Sequence, residues 1–240
     1  EILTYVLSGK LEHRDSLGNG GILQHHLVQH MRAGTGIRHS EANASDTDEL
    51  HLYQIWILPA KGGLVPNYVD KTFDPAEAQG KLQLLASPGG RNGSLDIAQD
   101  AFWYRTFLQP GQSVSLSLTD EHHAWVQVVN GTVTLNSSST LSTGDGAAMS
   151  GEKELVMKAE KESRLAASRA APPVPEQKAM GSGITVMRFA AKSQAMERPV
   201  KGKAETPAIR QTSYLPGGSM ASSVLLTGVD APVGGKPFPV

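Results

Sequence analysis

The chain has 240 residues, 22 basic and 23 acidic, with a formal net charge of −1 and 39% apolar residues, enough to build one large or two small cores. It contains no cysteine, which removes disulfides, thiolate metal sites and cysteine nucleophiles together. No apolar run reaches the roughly eighteen residues of a spanning helix, and 1–7 lacks the basic-then-apolar layout of a signal peptide, so a cytoplasmic location and no membrane contact for 1–163 are expected.

The charge is uneven, since eight of the basic residues but four of the acidic ones fall in 171–240. They are scattered and not interleaved with aromatics, which fits a solvated tail and no nucleic-acid partner. The chain opens on Glu1 inside a β-patterned run, as a piece of a longer protein would.

Short β-patterned runs come first, at 2–7, 11–14, 27–31 and 50–58, with turn residues between them: Ser8-Gly9, Gly18-Asn19-Gly20-Gly21 and Ala33-Gly34-Thr35-Gly36. Glycine supplies the positive φ that tight connections need. A stretch rich in Pro, Gly and Asp then reads as a connector over 61–96.

A second series follows at 101–108, 113–118, 124–129, 132–135 and 155–159, punctuated by Gln109-Pro110-Gly111, Asn130-Gly131 and Thr143-Gly144-Asp145-Gly146. In each series a strand ends in a glycine hairpin, Leu7-Ser8-Gly9-Lys10-Leu11 in the first and Val129-Asn130-Gly131-Thr132-Val133 in the second. The repeat predicts an all-β chain with two barrels of jelly-roll type in tandem: a first over 1–60, incomplete, and a second over 97–163. Beyond them 164–182 is a Pro- and Ala-rich linker without period. Within 183–240, the runs 183–190 and 214–230 are β-like and 192–207 is polar; 164–213 is expected to be poorly ordered.

The sharpest cluster of chemical groups is Gly34-Thr35-Gly36-Ile37-Arg38-His39-Ser40-Glu41. On a strand, residues two apart share a face, so His39 and Glu41 would converge inside a barrel. A carboxylate with imidazoles suits Fe(II) or Mn(II) sites that keep positions open for substrate and dioxygen. By spacing alone, an exposed His-Ser-Glu turn after two glycines fits as well. His25, His26 and His30 invite a second metal site, but adjacent His25 and His26 face opposite ways on any strand. His122-His123 reads as an exposed turn pair.

Blocks in order carry a resemblance: 1–9, 11–19, 33–41 and 52–56, continuing through Pro59-Ala60-Lys61, Gly93-Ser94-Leu95, 125–131 and Gly144-Asp145-Gly146-Ala147-Ala148. Residues 1–163 resemble the pirin family of bicupins. That resemblance implies a metal in the first barrel, bound by three histidines and a glutamate, and quercetin 2,3-dioxygenase-type turnover of a flavonol-like small molecule. His39 and Glu41 match the last two ligands, and Glu41 would also accept the substrate proton. His13 and Asp15 match the family signature in structural or pocket-edge roles. The other two ligands belong to a His-Pro-His that the family places just before the run at Glu1. Without it Fe(II), or Mn, Ni or Zn, would be weakly held, and an open barrel edge exposing Ile2 and Tyr5 would favour self-association. Pirins also include protein-interaction members, so a non-catalytic binding or regulatory module is the alternative. Residues 183–240, through Tyr214-Leu215-Pro216-Gly217-Gly218-Ser219 and Leu225-Leu226-Thr227-Gly228-Val229-Asp230-Ala231-Pro232, resemble the start of the β-barrel domain of the conjugal-transfer TraB family, which would make the chain a chimera.

Overall fold

The structure, a computed structural model, describes residues 1–120, 122–160, 182–190 and 224–231. The described residues are almost entirely β and fall into two compact units. The first holds Glu1–Pro75, Leu85–Ala101 and the strand at 224–231; the second holds Ala76–Leu84 and the described part of Phe102–Ser219.

In the first unit the strands are β1 (Ile2–Ser8), β2 (Leu11–Asp15), β3 (Gly20–Leu23), β4 (Leu27–Arg32), β5 (His39–Asn43), β6 (Leu50–Ile57) and β7 (Asn67–Thr72). β8 (Gln83–Ser87) crosses from the second unit into the first, where its end pairs in parallel with β9 (Leu95–Asp96). The second unit carries β10 (Ala101–Leu108), β11 (Ser113–Ser117), β12 (His122–Val128), β13 (Thr132–Leu135), β14 (Ser139–Ser142), β15 (Gly146–Ser150), β16 (Glu154–Ala159) and β17 (Ser182–Ala190); β18 (Val224–Ala231) returns to the first.

The first unit is built from a five-stranded sheet in the order β18-β6-β1-β4-β7 and a three-stranded sheet, β3-β2-β5. β1 lies inside its sheet, antiparallel to β4 on one side and β6 on the other. Ile2 and Tyr5, expected at an open edge, are therefore 6% and 3% exposed, and the apolar surface proposed to drive self-association is absent there. The supposed connector 61–96 contains β7, which pairs with β4 along its whole length. Its sequence, Asn-Tyr-Val-Asp-Lys-Thr, is that of an outer strand with polar residues at most positions.

Val6, Leu11, Leu23, Leu50 and Leu52 pack together and close one end of this barrel. In the second unit β11-β16-β13-β14 form one sheet, and β15-β12-β17-β10 run side by side in another that continues into β8. The core there is aliphatic, around Leu108, Val126, Val128, Val133, Leu155 and Met157. His122 and His123 begin β12 and are half-buried rather than sitting in an exposed turn. Of the stretch expected to be poorly ordered, 182–190 is strand, antiparallel to β12; the linker 164–181 and the polar run 192–207 lie outside the described residues. No helix among the described residues is long and apolar enough to cross a membrane.

The bend that delivers the chain to β5 turns on Gly34, at φ +54°, where an added Cβ would meet the Leu64 carbonyl oxygen and, at 2.8 Å, the Pro66 nitrogen. Gly18, at φ +88°, has nothing within 4 Å of the same position. Gly34→Ala is expected to destabilise the first unit by about 1–3 kcal/mol, more than Gly18→Ala, which meets only the left-handed backbone penalty of about 1–2 kcal/mol; urea unfolding midpoints of the two variants check the order.

Candidate functional site

β5 alternates with its neighbours in the sheet, so His39, Glu41 and Asn43 point inward while Ser40 is exposed. Across β2 the register places His39 beside Asp15 and Glu41 beside His13. The opposite sheet contributes a row of polar side chains, because Gln29, Thr4 and Gln54 are direct neighbours on β4, β1 and β6. Two residues further along the same face a second row reads Tyr68, Met31, Ile2, Trp56. The barrel interior therefore changes in character along its axis: an aliphatic end, a polar layer, and a mouth flanked by Tyr68, half-buried, and Trp56, 39% exposed.

The polar layer is tied together across the two sheets. Gln54 Nε2 donates to Glu41 Oε2 at 2.5 Å, and Trp56 Nε1 donates to Gln54 Oε1 at 3.4 Å. Gln29 Nε2 lies 2.9 Å from His13 Nδ1; with the amide as donor, the His13 proton sits on Nε2 and faces Asp15 Oδ2 at 3.5 Å. The His13 ring stacks on Tyr68, centroids 4.8 Å apart, and on His39 at 5.7 Å. His13, Thr4, Gln29, Glu41 and Gln54 are all buried.

Three atoms of this interior are buried without a partner: His39 Nε2, Thr4 Oγ1 and Gln29 Oε1. A buried polar atom left unbonded costs about 1–3 kcal/mol, so such a cluster calls for a polar occupant. Burial lowers the His39 pKa, with nearby His13 acting in the same direction and Glu41 and Asp15 against it; the ring is thereby kept in the neutral form that offers a lone pair. Burial, reinforced by Asp70, Asp15 and Glu41, pushes the Tyr68 phenol up to about 12, so it presents an O–H at the mouth.

The other histidines stand apart. His25 and His26 lie in the turn before β4, ring centroids 3.7 Å apart, whereas His30 is buried on β4 with Nε2 3.1 Å from Glu1 Oε1. Among the described residues no group of three His, Asp or Glu is placed to hold a metal ion. His39, with a bare buried nitrogen, and Glu41, a carboxylate held by Gln54, are the residues that could hold one. They fit as two donors of a larger set. Sequence reasoning passed over Thr4, Gln29 and Gln54; the signal was a polar residue at an inward position of an otherwise apolar strand.

Two cupin-type β units, the first enclosing this polar layer, define a bicupin. Residues 1–57 match the family model described as pirin and 84–166 that of the quercetinase C-terminal cupin domain. Quercetin 2,3-dioxygenase of Escherichia coli K12 is 46% identical over 165 residues, 69% of this chain and 70% of that protein. A putative quercetin 2,3-dioxygenase of Pasteurella multocida is 40% identical over 65% of the chain and 66% of its own length. The crystal structure of the bacterial pirin YhhW from E. coli in complex with nickel(II) superposes with a TM-score of 0.66 at 38% identity, covering 79% of this chain and 72% of that one. The chain belongs to the pirin family. The family-model matches end at residue 166 and lend no support to the TraB resemblance of 183–240, much of which lies outside the described residues.

Asp15 also shapes the site, from beside His39 and Glu41. Its Oδ1 accepts the backbone N–H groups of Leu17 and Asn19 at 2.9 and 3.0 Å, and its Oδ2 accepts Asn19 Nδ2 at 2.9 Å. Desolvation by burial raises its pKa, but these bonds and that from His13 outweigh it and hold the carboxyl below the ordinary 3.8. A depressed carboxyl pKa stabilises the fold above the unfolded-state value, and that contribution is lost as pH falls through the folded value. The stability gap between the chain and Asp15→Asn should therefore be constant near neutrality and close below about pH 4, as read by thermal melts across an acid series.

Proposed function

We propose that this chain carries part of the site of a metal-dependent dioxygenase of the quercetin 2,3-dioxygenase type, which acts on a flavonol-like small molecule, with His39 and Glu41 as two of the metal ligands. The observation that carries this reading is the partnerless, buried Nε2 of His39 beside a buried carboxylate in a barrel with an aromatic mouth. The names of the relatives support it, as does the nickel(II) of the bacterial pirin complex. A divalent ion, Fe(II) or alternatively Mn, Ni or Zn, would polarise a substrate oxygen as a Lewis acid.

The protein's own part follows from the layers. Tyr68 and Trp56 offer flat faces to an aromatic ligand, and the Tyr68 hydroxyl can donate to one of its oxygens. The aliphatic end around Val6, Leu11 and Leu52 keeps water from the far side. Glu41, whose Oε1 is 3.5 Å from His13 Nδ1 and too far for a firm bond, is also the group able to take the proton of a substrate hydroxyl.

Two donors are few. Loss of even an outer hydrogen-bond partner costs a metal site about 10- to 100-fold in affinity, and the loss of direct ligands costs more. The expected outcome is weak Fe(II) binding and little quercetin consumption by this chain. A version extended ahead of Glu1 by a strand ending in His-Pro-His should bind tightly and turn over, and in it His39→Ala and Glu41→Gln should abolish both. Equal activity of the chain and its extended version would overturn the ligand assignment.

A further inference from the structure

We propose that Gln54 is the positioning residue of this site: turned by Trp56, its amide holds Glu41 Oε2 and leaves Oε1 as the oxygen free for a ligand. The inference rests on the reading of Glu41 and His39 as metal ligands, and adds to it the device that fixes the carboxylate.

The geometry orients the amide without ambiguity. An indole N–H can only donate and an ionised carboxylate can only accept. Gln54 stands between one of each, so its oxygen must face Trp56 and its nitrogen Glu41, as the 3.4 and 2.5 Å contacts have it. Burying an amide among aliphatic side chains is costly unless both ends are bonded. Gln54 is 4% exposed on a strand whose other residues on that face, Leu50, Leu52 and Trp56, are largely apolar. Its retention there is explained if Glu41 needs it. Among the described residues no other side chain holds Glu41 as closely, for His13 Nδ1 is 3.5 Å from Oε1 and is already engaged by Gln29 at 2.9 Å. The register supports the same division: Thr4 separates Gln54 from Gln29 in the row, so one glutamine serves Glu41 and the other His13.

Trp56 gives the arrangement a sensor. Its ring is partly exposed at the mouth while its Nε1 reaches the amide, so whatever displaces the indole also releases Gln54. Glu, Leu or Asn at position 54 would fail for different reasons. Glu would set two carboxylates against each other, Leu would offer no donor, and Asn would fall short of one neighbour.

Two measurements test this. In the metal-free chain, the Gln54 side-chain NH₂ resonances should be well dispersed and slow to exchange, and both Glu41→Ala and Trp56→Phe should move them toward free-amide values. If neither substitution shifts them, the relay does not exist. In the second, Mn(II) is titrated and followed by its free-ion electron paramagnetic resonance signal. Gln54→Leu and Gln54→Glu should weaken binding about 10- to 100-fold and broaden the bound-ion spectrum as the carboxylate loses its fixed orientation; Trp56→Phe should weaken it less. Unchanged affinity and line shape in Gln54→Leu, where His39→Ala does reduce binding, would overturn the positioning role and leave the ligand reading standing. Binding indifferent to His39→Ala and Glu41→Ala would sink the ligand reading, and the amide resonances would then decide the relay by themselves.

Discussion

A polar group enclosed in a barrel must find its hydrogen bonds inside that barrel, and this requirement organises the first unit. The strands of the polar layer contribute hydrophilic side chains to inward positions: Thr4, His13, Gln29, His39 with Glu41, and Gln54. Their bonds run between the two sheets rather than along them, Gln54 to Glu41 and Gln29 to His13. The layer therefore works as a register lock. A one-residue slip of β6 would turn Tyr53 or Ile55 toward Glu41 and send Gln54 to the other face, stranding a buried carboxylate at far greater cost than any aliphatic mismatch.

The fold was legible where apolar alternation is strong. β1, β2, β4, β6, β10 and β13 fall within a residue or two of the runs read from 2–7, 11–14, 27–31, 50–58, 101–108 and 132–135. It was illegible where inward positions are polar or the strand is outermost. β5, His-Ser-Glu-Ala-Asn, has no apolar face because its inward residues are the chemical ones, and β7 carries polar residues on its free side. The same cause hid part of the site. His39 and Glu41 were visible as a pair two apart, whereas Gln54 and Gln29 have no spacing signature and gain meaning only when pairing between strands sets them opposite Glu41 and His13. The expectation for Ile2 and Tyr5 failed for another reason: the neighbours of a strand are a matter of topology, and no local pattern announces that β1 is flanked on both sides.

The two units share an architecture and differ in what they enclose. The core of the second is aliphatic, from Leu108 to Ala159. Several of its buried polar side chains bond to one another or to the backbone: Arg105 Nε to Gln83 Oε1, Gln83 Nε2 to Glu77 Oε2, and Gln127 Nε2 to the carbonyls of Gly144 and Asp145. Such self-contained bonding asks for no occupant. Trp125 Nε1 is buried there without a partner, whereas the orphan atoms at His39, Thr4 and Gln29 lie together in the first unit.

Trp56 carries an optical consequence. The chain has three tryptophans; Trp103 is fully buried and Trp125 half-buried, both in the second unit, while Trp56 is 39% exposed at the barrel mouth with its indole nitrogen hydrogen-bonded. A solvated, hydrogen-bonded indole emits at longer wavelength than a buried one. The red side of the protein's intrinsic fluorescence thus belongs chiefly to the indole that borders the chamber, and a near-ultraviolet-absorbing molecule that enters will quench that component first, so the barrel reports its own occupancy without a label.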